Sequence, residues 1–413
     1  MTDSILVFMI FWDDLESESK PGIALKNNSI KKEIISILSL SGNVTIPDLS
    51  KKLVISVPKI TALVNELIAD SIVSDYGKST VASGRKPSVY GLVADSGFFL
   101  GVDIKHSHIN IGLIDLCKNL ASTSKHIPYT LTNERHSLDE LCNIIKTFIA
   151  NSAIPGDKIV AMGLNLSGRI NSTTGYSYSF FHFNEDPLSV YLEQATGIKT
   201  FIENDSRAMA YGEYIAGAAK NEKNVLFLNL DYGIGMGIII NGQLYYGKSG
   251  FAGEFGHIPF FDNEIICQCG KKGCLETEAS GRALTHLFRE KIKSGYASII
   301  TKDMAPEDIK LSHIIQAVKD DDVLAIDLIA EIGEKLGKGI ATLINLYNPE
   351  LIVLGGALAE TSEYILLPIK SAINKYSLNL VNTDTQIKLS QLNENAGVVG
   401  ACFLARDRVL EAR

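Results

Sequence analysis

One histidine and three cysteines fall within eighteen positions of this chain: His257, Cys267, Cys269 and Cys274. Thiolate and imidazole are the ligands Zn²⁺ prefers, and four of them leave no coordination position for water, which describes a structural rather than a catalytic metal site. The cysteines sit in a CxCGxxGC run, where Gly270 and Gly273 supply the backbone freedom a chain needs to double back around an ion. Two carboxylates, Glu254 and Glu276, are interleaved with these ligands. A sulfur-rich zinc site has no need of them, so the metal is expected to act as a clamp that fixes both beside a binding cleft.

Elements must position this constellation, and length and composition bound them. The chain has 413 residues, enough for two or three domains with sizeable cores, and its 46% hydrophobic and 21% charged content is that of a globular protein. A net charge of −8 argues against the whole chain being a polyanion binder, yet residues 26–94 hold nine Lys/Arg against five Asp/Glu. A mildly basic module on an acidic body is the pattern of a small DNA reader attached to something else. Six cysteines, half of them in the metal run, form no disulfide framework and fit a reducing cytoplasm. The apolar stretch Ile5–Trp12 is too short for a bilayer, which takes about 20 residues, and lacks signal-peptide flanks, so no membrane association is expected. Residues 1–25 are left as an unassigned tail.

Residues 26–94 read as a winged helix-turn-helix. Ile30, Ile34, Ile37 and Leu38 recur at helical spacing up to Gly42. Thr45 with Asp48 is a capping-box variant that opens a short second helix, with Pro47 in its first turn. Ser56 is placed to cap a third helix, whose buried set is Ile60, Leu63, Val64, Leu67 and Ile68. Val57, Lys59 and Thr61 then lie on its open side, where a recognition helix meets the major groove. Ile72–Tyr76 and Pro87–Leu92 read as wing strands, with Arg85 and Lys86 at the wing's base to reach phosphates or a narrow minor groove. The plainer alternative is a three-helix packing module with solvated lysines.

From Asp95 onward strands and helices alternate. Phe98–Val102 and Ile109–Ile114 suggest a hairpin, Leu138–Ser152 a helix, Ile159–Leu166 a strand, and Lys199–Glu203 a strand running into the helix Asn204–Ala216. A second strand set starts at Val225 and includes Leu351–Leu354, with helices at Leu275–Ser294, Leu311–Ala317 and Val323–Tyr347. The pattern predicts an α/β body of two similar lobes. One lobe spans residues 95–216, completed by a C-terminal helix over 395–413, and the other spans 217–394 and carries the zinc site.

Several motifs together resemble the ROK family (repressors, open reading frames and kinases). Glu203 to Glu213 reads ENDxxxxAxGE, Gly233–Gly237 reads GIGMG, Gly253–His257 reads GEFGH, and the cysteine run continues into Leu275-Glu276. Gly163–Gly168, Asn348-Pro349-Glu350 and Leu354-Gly355-Gly356 follow in family order, so the likeness covers about residues 97–405. It implies a two-lobed actin-like, sugar-kinase fold preceded here by the winged helix-turn-helix. It also implies sugar contacts at Asn204, Asp205, Glu254, His257 and Glu276, with Asp205 matching the kinases' general base. Carboxylates and amides do suit sugar hydroxyls, because they accept and donate in pairs. His257 would serve twice, with one ring nitrogen on zinc and the other toward a hydroxyl.

One departure from the family pattern bears on activity. Where family kinases open the body with a DxGGT-type loop, this chain has Asp103-Ile104-Lys105-His106-Ser107-His108. Side chains replace the glycines whose lack of Cβ lets backbone N–H groups approach ATP phosphates, and Tyr232 alters the second phosphate loop. The expectation is a cytoplasmic, sugar- or sugar-phosphate-responsive repressor without catalytic residues, binding double-stranded operator DNA as a homodimer or homotetramer. The alternatives are an active ROK sugar kinase with an appended DNA module, and a sugar binder whose helix-turn-helix serves only dimerisation.

Overall fold

The structure, a computed structural model, describes residues 22–78, 87–183, 185–302 and 304–410. By packing, the chain divides into two units: residues up to Glu203 together with those from Ala401 onward, and residues Asn204–Gly400.

The first unit opens with three helices, α1 (Gly22–Ser41), α2 (Ile46–Leu53) and α3 (Val57–Ala69), and a small antiparallel sheet. That sheet has the order β1 (Val44–Thr45), β3 (Ser88–Leu92), β2 (Val73–Lys78). The turn after α1 is Gly42, with φ +72°. The Thr45 hydroxyl caps α2 by accepting from the Asp48 N–H at 3.3 Å, and it donates to the Asp48 carboxylate at 2.6 Å. Ser56 stands at the N-cap of α3 without making a side-chain cap bond. Ile60, Leu63, Val64 and Leu67 are buried as their spacing requires, while Ile68 is half-buried. Arg85 and Lys86 lie outside the described residues.

The same unit then forms a five-stranded sheet in the order β10-β7-β4-β5-β6: β4 (Phe98–Ile104), β5 (His108–Asp115), β6 (Leu120–Pro128), β7 (Ile159–Leu166) and β10 (Thr200–Asn204). β4 and β5 pair as the expected hairpin, and β7 runs parallel to β4. A two-stranded pair, β8 (Ile170–Asn171) with β9 (Tyr176–Ser177), lies between β7 and β10 in the chain. Helices α4 (Arg135–Asn151) and α5 (Leu188–Thr196) cover the sheet with Leu138, Leu141, Ile145, Leu188 and Leu192.

The second unit repeats this plan. Its sheet has the order β13-β12-β11-β14-β15, made of β11 (Val225–Leu230), β12 (Ile234–Ile240), β13 (Gln243–Leu244), β14 (Leu351–Gly355) and β15 (Gln386–Leu389). In both sheets an antiparallel meander of three strands is extended by two more strands on the other side of its first member. Helix α6 (Asp205–Ala216) lies across β11 and β12. The remaining helices are α7 (Leu275–Ala279), α8 (Gly281–Lys293), α9 (Leu311–Lys319), α10 (Val323–Tyr347), α11 (Glu363–Tyr376), α12 (Asn379–Asn382) and α13 (Ala396–Leu410).

Two readings of the sequence need correction. The division falls at 203/204 rather than after Ala216, because α6 packs on the second sheet: a Cβ on Gly235 or Gly237 of β12 would come within 2.0 Å of Ser206 or 2.3 Å of Ala210. The helix expected over Leu275–Ser294 is two helices. Ser280 breaks it with an extended backbone and caps α8, accepting from the Ala283 N–H at 3.2 Å, while the Gly281 N–H donates to the Asp231 carbonyl at 2.9 Å. Among the described residues no helix is long and apolar enough to cross a membrane.

Candidate functional site

The four metal-ligand candidates converge. The ligating atoms of His257, Cys267, Cys269 and Cys274 all lie within 4.8 Å of one another. The His257 Nδ1 is 3.5 Å from the Cys267 sulfur, and the sulfurs of Cys269 and Cys274 are 3.6 Å apart. A tetrahedron with Zn–S bonds of about 2.3 Å has edges of about 3.8 Å, so the donor set fits one tetrahedral ion. Burial pushes the Cys267 and Cys274 thiols up, Cys274 to about 12, while hydrogen bonds hold the Cys269 thiol below its ordinary value; a bound cation would stabilise all three as thiolates. The chain doubles back as the glycines require: Gly270 has φ +83° and Gly273 φ +68°, and a Cβ on Gly273 would lie 2.1 Å from the Phe261 carbonyl oxygen.

The histidine–cysteine cluster sets the carboxylates. Cys274 is the N-cap residue of α7, so Glu276 falls in that helix's first turn. It is nearly buried, with one carboxylate oxygen accepting the Ile234 N–H at 3.0 Å and the other 3.4 Å from the Arg282 guanidinium and 3.9 Å from the Cys267 sulfur. Glu276 therefore holds the Gly233-Ile234 turn against the cysteine cluster. Glu254 is exposed and faces the other side of the shared histidine, its carboxylate 3.9 Å from the His257 Nε2. The imidazole thus presents Nδ1 to sulfur and Nε2 toward Glu254.

Asn204 and Asp205 open α6. The Asn204 side-chain oxygen is the cap, accepting from the Ser206 and Arg207 N–H groups at 3.1 Å each. Asp205 occupies the first helical position, where the helix dipole favours a carboxylate, and its Oδ1 accepts from the Ser206 N–H at 2.7 Å. Ser206 presses on Gly235 of β12, Glu276 bonds Ile234, and Gly256 of the GEFGH turn closes on the Ile234 carbonyl. The start of β12 is thus the common support of all five residues.

Three residues the sequence reading passed over complete this frame. Arg207, almost fully buried, donates to the Gly250 carbonyl at 2.7 Å and lies over the Tyr246 ring, anchoring the loop before GEFGH. Glu213, fully buried, accepts from the N–H groups of Ala218 and Leu392 at 2.7 and 2.8 Å and from the Ser390 hydroxyl. Asn229 donates to the Ser206 hydroxyl at 3.2 Å. Arg207 and Glu213 stood inside the quoted ENDxxxxAxGE run; charged residues among small apolar ones were the available signal.

At the other predicted sites, Val57 is exposed and Thr61 is half-buried, its hydroxyl donating to the Val57 carbonyl at 2.8 Å. Lys59 is not on the open side: it is half-buried and donates to the Asn27 side chain of α1 at 2.6 Å. The DIKHSH stretch is a tight hairpin turn between β4 and β5, closed by the Lys105 N–H on the His108 carbonyl at 2.9 Å.

Fold and site together define an actin-like, two-sheet α/β protein with a histidine–cysteine cluster, carrying a three-helix module with paired strands in front. The ROK family profile matches residues 99–408, and the chain belongs to the ROK family. It is 32% identical over 321 residues to a glucokinase of Streptomyces coelicolor, a match covering 75% of this chain and 98% of that kinase. It is 27% identical over 382 residues to a putative xylose repressor of Caldicellulosiruptor, covering 91% of this chain and 96% of that protein. Among solved structures, a ROK family transcriptional regulator, described as a homologue of the E. coli MLC protein, superposes with a TM-score of 0.77 at 26% identity, over 94% of this chain and 96% of that one. The regulators extend over the N-terminal module; the kinase match leaves a quarter of this chain uncovered.

Proposed function

We propose that this chain is a sugar-responsive transcriptional repressor of the cytoplasm. The observation that carries this reading is the three-helix module with paired strands ahead of residue 99, included in the regulator matches. In this reading α3 enters the major groove through Val57 and Thr61, Lys59 supports the helix from its rear through Asn27, and Arg85 and Lys86 reach phosphates or a narrow minor groove. Operator DNA is bound by a homodimer or homotetramer on a pseudo-palindrome. The effector is a sugar or sugar phosphate held by Asn204, Asp205, Glu254, His257 and Glu276. Structural Zn²⁺ on His257, Cys267, Cys269 and Cys274 supplies no reaction chemistry; it fixes the imidazole and the first turn of α7. A sugar regulates only if it binds the DNA-competent and incompetent states unequally.

The test is operator footprinting across a panel of sugars and sugar phosphates, with Glu254→Gln alongside. Loss of one charge-assisted acceptor should weaken effector binding by about 1.5–3 kcal/mol while leaving DNA affinity intact. No footprint on the chain's own promoter region, or an effector response identical in the variant, would overturn the reading.

The second reading, an active sugar kinase with an added DNA module, is favoured by the retained Asp205 and by the glucokinase match. A coupled ADP-release assay separates the two. We expect no turnover; a rate near 1 s⁻¹, of the ordinary enzyme order and abolished by Asp205→Ala, would install the kinase instead.

A further inference from the structure

We propose that His108 and His126, on the neighbouring strands β5 and β6, form an exchangeable site for a late first-row divalent ion such as Zn²⁺, Ni²⁺ or Cu²⁺. Imidazole is a donor that all three ions take readily. The two ring centroids are 4.9 Å apart, with the planes inclined at 43°. Metal–nitrogen bonds of about 2.0–2.1 Å at tetrahedral angles put the centres of two imidazoles on one ion about 5 Å apart. The pair already stands at that separation.

The backbone beneath is shaped for this meeting. Ile109 pairs with Ile127 and Ile111 with Ser124, so Lys125 and His126 together face Asn110 alone, a β-bulge in β6. Within it His126 has φ +54°, the left-handed region that a bulge ordinarily gives to glycine. Asn110 is buried and holds the bulge from inside, its side-chain oxygen accepting from the His126 N–H at 2.9 Å. Because β6 is an edge strand, a bulge there can serve simply to blunt the edge. Glycine would do that without the strain; what histidine adds is an imidazole beside His108. A strained residue held in place by a buried side chain points to a use for that residue. His108 is half-buried and His126 exposed, so the ion is reached from solvent, and two protein ligands leave its other positions to water. This is the reverse of the closed cysteine cluster. A bound ion ties the edge strand to the sheet where the ladder lapses. The inference is independent of the sugar-site reading.

The experiment uses the full-length protein with its cysteine cluster loaded with zinc, and Cu²⁺ as the probe, read by electron paramagnetic resonance. Wild type should bind about one Cu²⁺ per chain with the splitting of two coordinated nitrogens. His108→Ala and His126→Asn should each lose the two-nitrogen spectrum; asparagine is chosen at 126 because it tolerates positive φ. Asn110→Ala keeps both imidazoles but frees the bulge, and should weaken binding about tenfold, as loss of a supporting contact behind a ligand does. His286→Ala, which removes an exposed histidine of α8, should bind as wild type. The proposal is overturned if wild type gives no two-nitrogen spectrum, if His126→Asn retains it, or if His286→Ala loses it. Should His108→Ala fail to fold, His126→Asn decides alone.

Discussion

The two five-stranded sheets share a plan and differ at the turn of their first hairpin. In the first unit the turn from β4 to β5 is filled with side chains, Lys105, His106 and His108, over the buried Asp103. In the second, the turn from β11 to β12 is Asp231-Tyr232-Gly233, and it is the flanking strands that glycine empties. Asn229 occupies the position in its sheet that Asp103 occupies in the other, but its register partners are Gly235 and Gly355 where Asp103 has Asn110 and Asn165. Bare backbone on β12 lets α6 press onto the strand through Ser206 and Ala210, while Glu276 bonds Ile234 at the strand's start. One architecture thus serves two ends: a turn closed by its own Asp103–Lys105 ion pair, and a strand bared so that a helix can seat on it.

The comparison can be broken at several points. The largest effect is expected at the cysteine cluster, because structural zinc is coupled to folding. Cys269→Ser should lose about one equivalent of zinc per chain and lower the unfolding temperature. Hydrogen exchange should show loss of protection in α7 and the Gly233-Ile234 turn well before β4 and β5; metal analysis finding no zinc in wild type would end this account. Next comes helix seating. Gly237→Val puts atoms where Ala210 and the Ser206 carbonyl already stand, so overpacking should cost about 1–3 kcal/mol. Effector affinity should fall with it; unchanged affinity would mean the position of α6 does not matter. Glu213→Gln keeps the shape but loses the charge behind several hydrogen bonds, and should cost about 1.5–3 kcal/mol in denaturant unfolding. The smallest effect is expected in the N-terminal module. Lys59→Ala removes one bond to Asn27, worth about 1 kcal/mol, and should leave the salt dependence of operator binding unchanged; a flatter salt slope would return Lys59 to the DNA.

Periodic and ligand-rich segments were readable in the sequence. The helices of the N-terminal module, α10 and the cysteine run all announce themselves, since apolar spacing and metal-ligand chemistry are local properties. What was missed is set by tertiary contact. Strand β6 reads LASTSKHIP and alternates exposed and half-buried residues at the sheet edge, so no apolar run marks it. Pro368 lies inside α11 and disguises that helix. Lys59 looked like a free cation because nothing in its neighbourhood names Asn27, thirty-two positions upstream. Nor did the doubled sheet show as a repeat, because what recurs is strand order rather than residues. The family motifs marked candidate residues, while their differing surroundings, with Glu276 bracing a turn and Glu254 exposed, needed distances.

The last helix carries a consequence for how the protein is made. The first unit ends at Glu203 and resumes only at Ala401, and its completion includes Arg406, which is fully buried against the Phe403 ring, bonded to Asp407 and 3.3 Å from the Ser39 hydroxyl of α1. On the ribosome, Asn204–Gly400 emerges whole before that closing piece exists. The N-terminal half of the newborn chain must therefore wait, with an incomplete core, until the residues from Ala401 onward clear the exit tunnel. Nascent chains stalled before Ala401 should be protease-sensitive around α1, and chaperone dependence should concentrate on the part synthesised first, the reverse of the usual vectorial order.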